Sequence, residues 1–548
     1  MSLRNTVILL LVAAGLTGLV GCGSSSNQAV APTSGAFNNS NLNGTYVFSF
    51  SGLDDTQGFE SFFAVAGTLT ANGNGGFSGG VIDIDDPALG SALNTGFAFN
   101  RLPTSGNYHV AEDGRGTGTI SATINRTQVQ FGLDFVLTSN SHGLISRFDS
   151  NGSGSGTIDL QTSDVTQSAL QGSYAFGLQG ADSTVVNSLA TVGSFSLDSN
   201  GNAIGLQDFN DIGNSDGLRA LPVSGSVLAG SPGAAQLTTN ATGFGTLQFD
   251  VFVIDPTHMK FIETDSAAFL AGDAFASTGN TSFPSGPLVF TLAGEDTALG
   301  PFAAAGLLTS DGSNLITSGL EDVNDEGFVA QAPSVHGSFT STGPRSVLTL
   351  NGIYNGGVAD GTAGVGLYAF AAYPYKGGAM LLEIDNGAGN GTGISGGNVY
   401  VQNATSLAAS RSYGLNLSGV NNDGEADWIS EFTAAASTMT GLYDANNLGF
   451  IASDLQLGSG NYSVSSNGRG IASFPTLQTN SNSFISALNL SFYVVDDSTA
   501  VFLETDGNQL GTGAFELQSP TGGSSPAQIR SNFMRPVSQA NAKPHFRH

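Results

Sequence analysis

The sequence predicts an all-β protein made of four tandem antiparallel β-domains, each an eight-stranded up-and-down barrel of calycin-like type. Three features lead to this prediction. Large apolar residues alternate with small or polar ones in short runs, and a period of two places the large residues on one face of a strand. Glycine, asparagine and aspartate separate these runs, as they do in tight hairpin turns. The same set of runs then recurs four times along the 548 residues.

The repeat is clearest in the first strand of each copy. In copy one, Tyr46, Phe48 and Phe50 alternate with smaller residues. The four equivalent segments are "LNGTYVFSFSG" (42–52), "LQGSYAFGLQG" (170–180), "SGPLVFTLAG" (285–294) and "ASRSYGLNLSG" (409–419). Their closing glycines lie 114 to 128 residues apart, which is an ordinary domain size.

Copy one contains eight strand-like segments joined by short turns. They lie near residues 44–51, 61–71, 76–84, 106–112, 116–125, 128–138, 143–149 and 155–161. Closing them into a barrel would pair every strand on both sides and leave no exposed edge. An immunoglobulin-like β-sandwich is the alternative, because alternation shows which residues share a face and not the order of the strands.

The predicted organisation of the chain follows from the repeat and its flanks. It comprises a signal peptide at 1–21, a lipidated cysteine and flexible linker at 22–41, β-repeats at 42–162, 170–278, 285–403 and 409–518, and a disordered tail at 519–548. The tail contains four basic residues and no acidic one. Such a composition is typical of a mobile basic terminus.

The N-terminal region explains why the chain has a single cysteine. One positive charge, Arg4, precedes the apolar run "VILLLVAAGLTGLV", which ends in the residues "LVGC" at 19–22. This arrangement resembles the lipobox of bacterial lipoproteins, in which the chain is cut before the cysteine and the thiol is acylated. The resemblance implies lipidation of Cys22, with palmitate as a typical acyl chain, and stable anchoring in a membrane. Gly23 in place of aspartate implies the outer membrane. An ordinary secretory signal is the alternative.

The repeat resembles a group of tandem-repeat lipoproteins of environmental Gram-negative bacteria. The segments that carry the resemblance are "GTYVFSFSG", "DVN", "GRG" and "ETD". No activity is known for that group. The resemblance therefore implies a location in the cell envelope and no particular chemistry.

Composition excludes several classes of function. The formal net charge is −28, so nucleic-acid phosphates would be repelled and we expect no nucleic-acid partner. Cys22 is the only cysteine, and no two of the six histidines have HExxH spacing. Zinc sites and cysteine nucleophiles are therefore not expected in the mature chain.

Acidic clusters follow the first hairpin in copies one to three. Their carboxylates belong to Asp83, Asp85, Asp86, Asp208, Asp211, Glu321, Asp322 and Asp325. Hard oxygen ligands close together suit Ca²⁺, the one cofactor that the sequence suggests. Solvated acidic loops without a metal are the alternative.

Acidic pairs spaced at i and i+2 occur in the late element of copies two to four. They are Glu263 and Asp265, Glu383 and Asp385, and Glu504 and Asp506. On a strand, both side chains of a pair point to one face about 7 Å apart. That separation would suit an inverting glycoside hydrolase. Copy one has Arg147 in place of the first acid, which favours the alternative of a charged strand end.

Two arginine-containing turns occupy matched places in copies one and four. They read "DGRG" (113–116) and "NGRG" (467–470), and "TGFG" (242–245) is the nearest segment of copy two. We predict hairpin turns with an exposed arginine.

The favoured hypothesis is a lipid-anchored cell-envelope protein with a non-enzymatic display, adhesion or envelope-interaction role. Repetition without a catalytic constellation motivates it, because tandem weak sites multiply avidity. Its partners would be the membrane, through the lipid, and an unidentified envelope or extracellular molecule. One alternative is binding of a small apolar ligand inside each barrel. The other is an extracytoplasmic hydrolase that uses the acidic pairs.

Overall fold

A computed structural model describes residues 35–521, except 57, 59, 163–164, 183–186, 212–217, 240–244, 266–267, 278–281, 296–299, 356–363, 385–392 and 484. Cys22, Asp385 and the tail beyond residue 521 lie outside the described residues. Within the described part of the chain, no helix is long and apolar enough to cross a membrane.

Barrel 1 consists of nine strands and one short helix. The strands are β1 (Asn43–Asp54), β2 (Ser61–Asn72), β3 (Gly76–Asp85), β4 (Ala98–Pro103), β5 (Ser105–Val110), β6 (Arg115–Ile124), β7 (Thr127–Leu137), β8 (His142–Asp149) and β9 (Gly152–Leu160), and helix α1 (Pro87–Ala92) lies between β3 and β4. Single 3-10 turns, Asn39–Asn41 and Gln167–Leu170, precede barrels 1 and 2.

Barrel 2 is a closed barrel of eight described strands. They are β10 (Gly172–Asp182), β11 (Ser188–Leu197), β12 (Asn202–Asp211), β13 (Leu221–Leu228), β14 (Gly233–Thr239), β15 (Thr246–Asp255), β16 (His258–Glu263) and β17 (Ala268–Ser277).

Barrels 3 and 4 each have nine strands, like barrel 1. Barrel 3 contains β18 (Gly286–Glu295), β19 (Pro301–Ser310), β20 (Leu315–Asp325), β21 (Phe328–Ser334), β22 (His336–Thr342), β23 (Arg345–Asn355), β24 (Gly364–Tyr375), β25 (Gly378–Glu383) and β26 (Ile394–Val401). Barrel 4 contains β27 (Arg411–Asn421), β28 (Gly424–Ala435), β29 (Thr438–Asn447), β30 (Phe450–Gln456), β31 (Gly460–Val464), β32 (Arg469–Phe474), β33 (Leu488–Asp496), β34 (Thr499–Glu504) and β35 (Gln509–Leu517).

The predicted fold class is confirmed, because each sheet closes on itself in up-and-down order. In barrel 1 the strands pair in sequence, β9 returns to pair with β1, and β2 pairs with β3 to complete the circle. The immunoglobulin-like alternative is wrong. All eight segments predicted in copy one are strands, whereas β4 and α1 were not expected.

The additional strand lies at one end of the barrel. The start of β3 pairs with β5 through Gly76 and Phe77, and its end, from Val81 to Asp85, pairs with β4. The strands β21 and β30 have the same place in barrels 3 and 4. The end of the third strand therefore lies under a short covering strand, at the edge where two barrels meet.

Aromatic rings fill the barrel interiors. In barrel 1 the Phe50 ring lies 5.9 Å from Phe63 and 5.9 Å from Phe131, centroid to centroid. In barrel 4 the Phe515 ring lies 4.9 Å from Phe502. Such contacts belong to a close-packed core. They argue against the alternative that each barrel holds a small apolar ligand.

The four barrels form a ring, in which barrel 4 contacts barrel 1. Strand β2 contacts β16 and β17, β11 contacts β24 and β25, β19 contacts β33, β34 and β35, and β28 contacts β7, β8 and β9. We call these four contact regions seam 1–2, seam 2–3, seam 3–4 and seam 4–1. Each barrel thus has one neighbour on either side.

Seam 4–1 has the smallest apolar cluster of the four, consisting of Val136, Leu144 and Ile429. The end of barrel 4 is also bonded to barrel 1: the Gln518 amide donates to the carbonyl of Asp113 at 2.7 Å, and the Ser519 amide N–H donates to Thr138 at 2.7 Å. Seam 4–1 therefore depends less on apolar contacts, and more on polar ones, than the other three seams do.

Candidate functional site: the seams between the barrels

The acidic clusters lie at the seams, at the end of the third strand of each barrel. Asp208 and Asp322 are fully buried within β12 and β20, and Asp444 takes the same position in β29. The expectation of solvated acidic loops is wrong, since the carboxylates of Asp83, Asp85, Asp86, Asp211, Glu321 and Asp325 are also at most 5% exposed.

The covering segment of each barrel supplies the first partner of this aspartate. The backbone N–H of Ala220 donates to Asp208 Oδ1 at 3.0 Å, and that of Ala332 donates to Asp322 Oδ1 at 2.9 Å. Both alanines have positive φ, 49° and 56°, which turns the N–H toward the carboxylate.

The next barrel supplies an arginine and, at two seams, a tyrosine. At seam 2–3, Arg345 Nε and Nη2 each donate to Asp208 at 2.7 Å, and the Tyr373 hydroxyl donates at 2.6 Å. A planar guanidinium that binds both carboxylate oxygens is among the strong polar contacts in proteins. Burial and the adjacent Asp208 raise the pKa of Tyr373, so the hydroxyl keeps its proton and remains a donor.

The same arrangement recurs at seam 3–4. Arg469 Nε and Nη2 donate to Asp322 at 2.7 and 2.8 Å, and Tyr493 also donates to this carboxylate. At seam 4–1, Arg115 donates to Asp444, although Val136 stands where the other seams have tyrosine.

The arginine turns thus supply the arginines that bind the seam aspartates of the preceding barrel. The prediction of an exposed arginine is wrong: the Arg115 side chain is 5% exposed and that of Arg469 is 17% exposed. Sequence reasoning missed Arg345, because its turn reads "TGPR" and not "GRG". In barrel 2, Gly233 pairs with Val251, and Pro232 precedes this pair as Arg345 precedes the pair of Ser346 and Ala372. The "TGFG" segment follows β14, one connection later in sequence, and its residues 242–244 lie outside the described residues.

An asparagine two residues after the seam aspartate forms a second contact with the next barrel. Its amide donates to backbone carbonyls of the late element. Asn324 donates to Glu504 at 3.0 Å and to Gln509 at 3.1 Å, and Asn446 donates to Arg147 at 2.9 Å. The repeated sequence Asp-x-Asn therefore binds the neighbouring barrel through one carboxylate and one amide.

The acidic pairs of the late element lie beside these carbonyls. Glu263, Glu383 and Glu504 end β16, β25 and β34, and each is at most 5% exposed. Gln509 donates to Glu504 at 3.0 Å, and Asn489 donates to Asp506 at 2.6 Å. Burial and the nearby Asp506 raise the pKa of Glu504 well above its usual range. The strand-end location of the pairs is thus correct, and in barrel 4 side-chain amides bind the two carboxylates of the pair.

Seam 1–2 differs from the other three. Asp83 has the seam position in β3, but the charged residue that faces it from barrel 2 is another carboxylate, Asp250. Arg101 of the covering strand β4 donates from its backbone N–H to Asp83 and from its guanidinium to Asp250, at 2.6 and 2.9 Å. Burial, with the neighbouring Asp250, raises the pKa of Asp83 to about 8.

The second position of the motif also differs at this seam. Asp85 stands where barrels 2, 3 and 4 have asparagine, and it is 1% exposed. Both of its oxygens and both oxygens of Glu263 lack a hydrogen-bond partner. Burial together with Asp86 and Asp265 raises the pKa of Asp85, and burial with Asp265 and Asp85 raises that of Glu263.

The structure gives the calcium prediction no support. In the part of the chain that the structure describes, no three His, Cys, Asp or Glu side chains are grouped to hold a metal ion. At two of the predicted positions, Asp208 and Asp322, an arginine already occupies both carboxylate oxygens.

An open cleft of about 420 Å³ lies between barrels 3 and 4. Gln331 of β21 forms one wall, and Asn461, Ser463 and Ile471 of barrel 4 lie on the other. Its remaining lining residues are also uncharged. The volume is within the roughly 300–1,000 Å³ range of ligand clefts.

No protein-family model matches the chain, and no curated protein matches it in sequence. Among solved structures, the chain is similar to a mutant of transferrin binding protein B from Haemophilus parasuis Hp5, with 7% identity, coverage of 69% of this chain and 83% of that chain, and a TM-score of 0.20. It is also similar to intact Ap-TbpB with N and C lobes, with 8% identity, coverage of 68% and 84%, and a TM-score of 0.18. Likeness at this distance carries no conclusion about function.

Proposed function

We propose that this protein is a non-enzymatic, lipid-anchored protein of the cell envelope, in which a closed ring of four barrels serves as a rigid binding platform. One observation carries the non-enzymatic part. Asp208, Asp322 and Asp444 are each bound by an arginine of the next barrel, and two of these arginines belong to the arginine turns that the sequence offered as candidates. The attachment rests on the lipobox resemblance, through Cys22, and the expected membrane is the outer membrane.

The ring suits a platform because three of its four seams hold neighbouring barrels in a fixed orientation. Seams 2–3, 3–4 and 4–1 each combine an apolar cluster with a buried Asp–Arg pair. Breaking such a pair costs roughly 3–5 kcal/mol when one partner is left buried alone. Surface clefts such as the one between barrels 3 and 4 therefore keep a fixed shape, which lowers the entropic cost of binding.

Binding to an envelope polymer tests the proposed role directly. The mature chain carrying Cys22→Ser would be incubated with isolated peptidoglycan sacculi and, separately, with outer-membrane vesicles, and the bound fraction measured after sedimentation. We expect saturable binding to one of these. Asn461→Arg places a bulky charge in the cleft and should abolish it. Asn107→Arg is the matched control, since Asn107 has the same strand position in barrel 1 and is also exposed.

Two results would contradict the proposal. Binding that is equal for both variants would show that the cleft is not the contact surface. Absence of binding to every envelope fraction would leave the platform role without support. Anchoring is tested separately: wild-type protein should incorporate an alkyne-labelled palmitate and sediment with membranes, and Cys22→Ser should do neither.

A further inference from the structure

The four seams are built to one plan, and the exception is confined to seam 1–2. At seams 2–3, 3–4 and 4–1, an arginine from the following barrel binds the seam aspartate, and an asparagine binds the following barrel's carbonyls. Seam 1–2 has neither. Pro232 stands in the arginine position and Asp85 in the asparagine position.

The result is a seam at which carboxyl groups from two barrels face each other. From barrel 1, Asp83 and Asp85 point into it, and from barrel 2 it receives Asp250, Glu263 and Asp265. Carboxylates in such contact cannot all be ionised, because two buried like charges repel strongly and each loses its hydration.

The positive charges near this seam are few, and they bind groups other than Asp85 and Glu263. Arg101 binds Asp250, but its side chain is 53% exposed. Lys260 of β16 also crosses the seam, because it donates to Thr157 of β9 at 2.8 Å and lies 3.8 Å from Asp159; within barrel 2 it lies 3.4 Å from Asp273. Arg147 of β8 binds Asp54 at 2.7 Å and partly offsets the charge at Asp86. None of these bonds reaches the Asp85 and Glu263 oxygens.

We infer that seam 1–2 is a pH-sensitive joint in the ring, held closed by protons on the facing carboxyl groups and loosened when those protons are lost. A protonated Asp85 can donate to the carbonyl of Glu263, as Asn210 donates to that of Glu383 at 3.0 Å. A proton on Asp83 likewise lets this residue donate to Asp250, which also accepts from the Arg101 guanidinium. The inference concerns the ring itself and does not depend on the proposed binding role.

The direction of the effect follows from the sign of the pKa shifts. These groups bind protons more tightly in the closed seam than in an opened, hydrated one, where an aspartate has a pKa near 3.8. Closure is therefore fully favoured in acid and is lost as pH rises through the closed-state pKa, which is about 8 for Asp83. Between the pKa of a group in the open seam and its pKa in the closed seam, each titrating group lowers the equilibrium constant for seam closure by up to about tenfold per pH unit.

Hydrogen–deuterium exchange of the mature chain carrying Cys22→Ser tests the joint. Rates would be measured from pH 6 to pH 9, corrected for intrinsic exchange, with a calcium chelator present. We expect protection of peptides from β3 and β16 to fall at least tenfold over this range. Peptides that contain Asp208 are the internal control, and their protection should change little because Arg345 neutralises that carboxylate.

The decisive variant is Asp85→Asn, which gives barrel 1 the asparagine of the other three barrels. It should restore protection of β3 and β16 at pH 9 and leave pH 6 behaviour unchanged. If this variant fails to fold, Glu263→Gln tests the same contact from the other barrel. An unchanged pH response in the folded variant would overturn the inference. Equal loss at all four seams would also overturn it, as would full restoration of wild-type protection at pH 9 by calcium in place of the chelator.

Discussion

Ring closure at seam 4–1 depends on Arg115, and its replacement gives the sharpest test of the seam interpretation. Arg115 donates to Asp113 at 3.1 Å and to Asp444, and the side chains of these partners are 0% and 7% exposed. Arg115→Met keeps the aliphatic stem but leaves two buried carboxylates without their cation. Removing one member of a buried pair typically costs roughly 3–5 kcal/mol. Asp444 can take up a proton, because burial already raises its pKa, so we expect about 3 kcal/mol.

The chain offers a convenient probe for this measurement. Trp428 is the only tryptophan, is 3% exposed and lies in β28, the strand that contacts barrel 1. Urea unfolding followed by its emission should show a midpoint lowered by about 1–3 M, given slopes of about 1–3 kcal/mol per molar urea. Arg345→Met, at the distant seam 2–3, is the matched control and should shift this transition far less. A loss below about 1 kcal/mol for Arg115→Met, or an equal shift in the control, would refute the reasoning.

Three further predictions concern other buried polar groups. Asn446→Ala removes three hydrogen bonds to barrel 1 carbonyls, which are 2.8 to 3.3 Å long. It should lower the free energy of unfolding in the tryptophan assay by about 2 kcal/mol. No change would contradict the view that this amide stabilises the seam. Glu504→Gln should leave stability at pH 5 almost unchanged and increase it at pH 8, because the raised pKa of the glutamate makes the wild type lose stability as pH rises above about 4.5. Thermal unfolding of both proteins over a series of pH values checks this. Parallel plots of unfolding temperature against pH for the variant and the wild type would count against it. Arg147→Met leaves Asp54 of barrel 1 buried without its 2.7 Å partner. It should lower the free energy of unfolding, measured by calorimetry of the mature chain, by roughly 3 kcal/mol. Arg126→Met, at an exposed arginine, is the control and should change this free energy little.

The barrel fold could be predicted from the sequence because its determinants are local. The alternation of Tyr46, Phe48 and Phe50 with smaller residues specifies which face of β1 is buried, and short Gly/Asn turns between runs require antiparallel neighbours. Strand β4 was not predicted because its alternation breaks at Arg101, whose positive φ of 55° interrupts the regular strand. The features that were missed are thus departures from regular strand geometry.

The roles of the charged residues could not be predicted, because their partners lie far away in sequence. Arg345 binds a carboxylate 137 residues earlier, and Arg115 binds one 329 residues later. Without these partners, an Asp in "EDVNDE" resembles a solvated loop or a calcium ligand, and an Arg in a turn resembles an exposed one. Arg345 and Arg469 occupy equivalent places, each at the start of the strand after the turn, and this equivalence becomes visible only after the strands are aligned.

The seam geometry also accounts for why the repeat is organised as it is. Each barrel presents Asp-x-Asn on its third strand and, on the strands that face its other neighbour, the arginine and carbonyls that receive this motif. Such a head-to-tail contact uses two different surfaces, so it continues until rotation brings the last unit back to the first. Here closure occurs at four, where Asp444 of barrel 4 meets Arg115 of barrel 1. The departure at seam 1–2 is then informative. Guanidinium and amide locks hold three seams, and the fourth, at which carboxyl groups of two barrels face each other without such a lock, is where we expect the ring to yield.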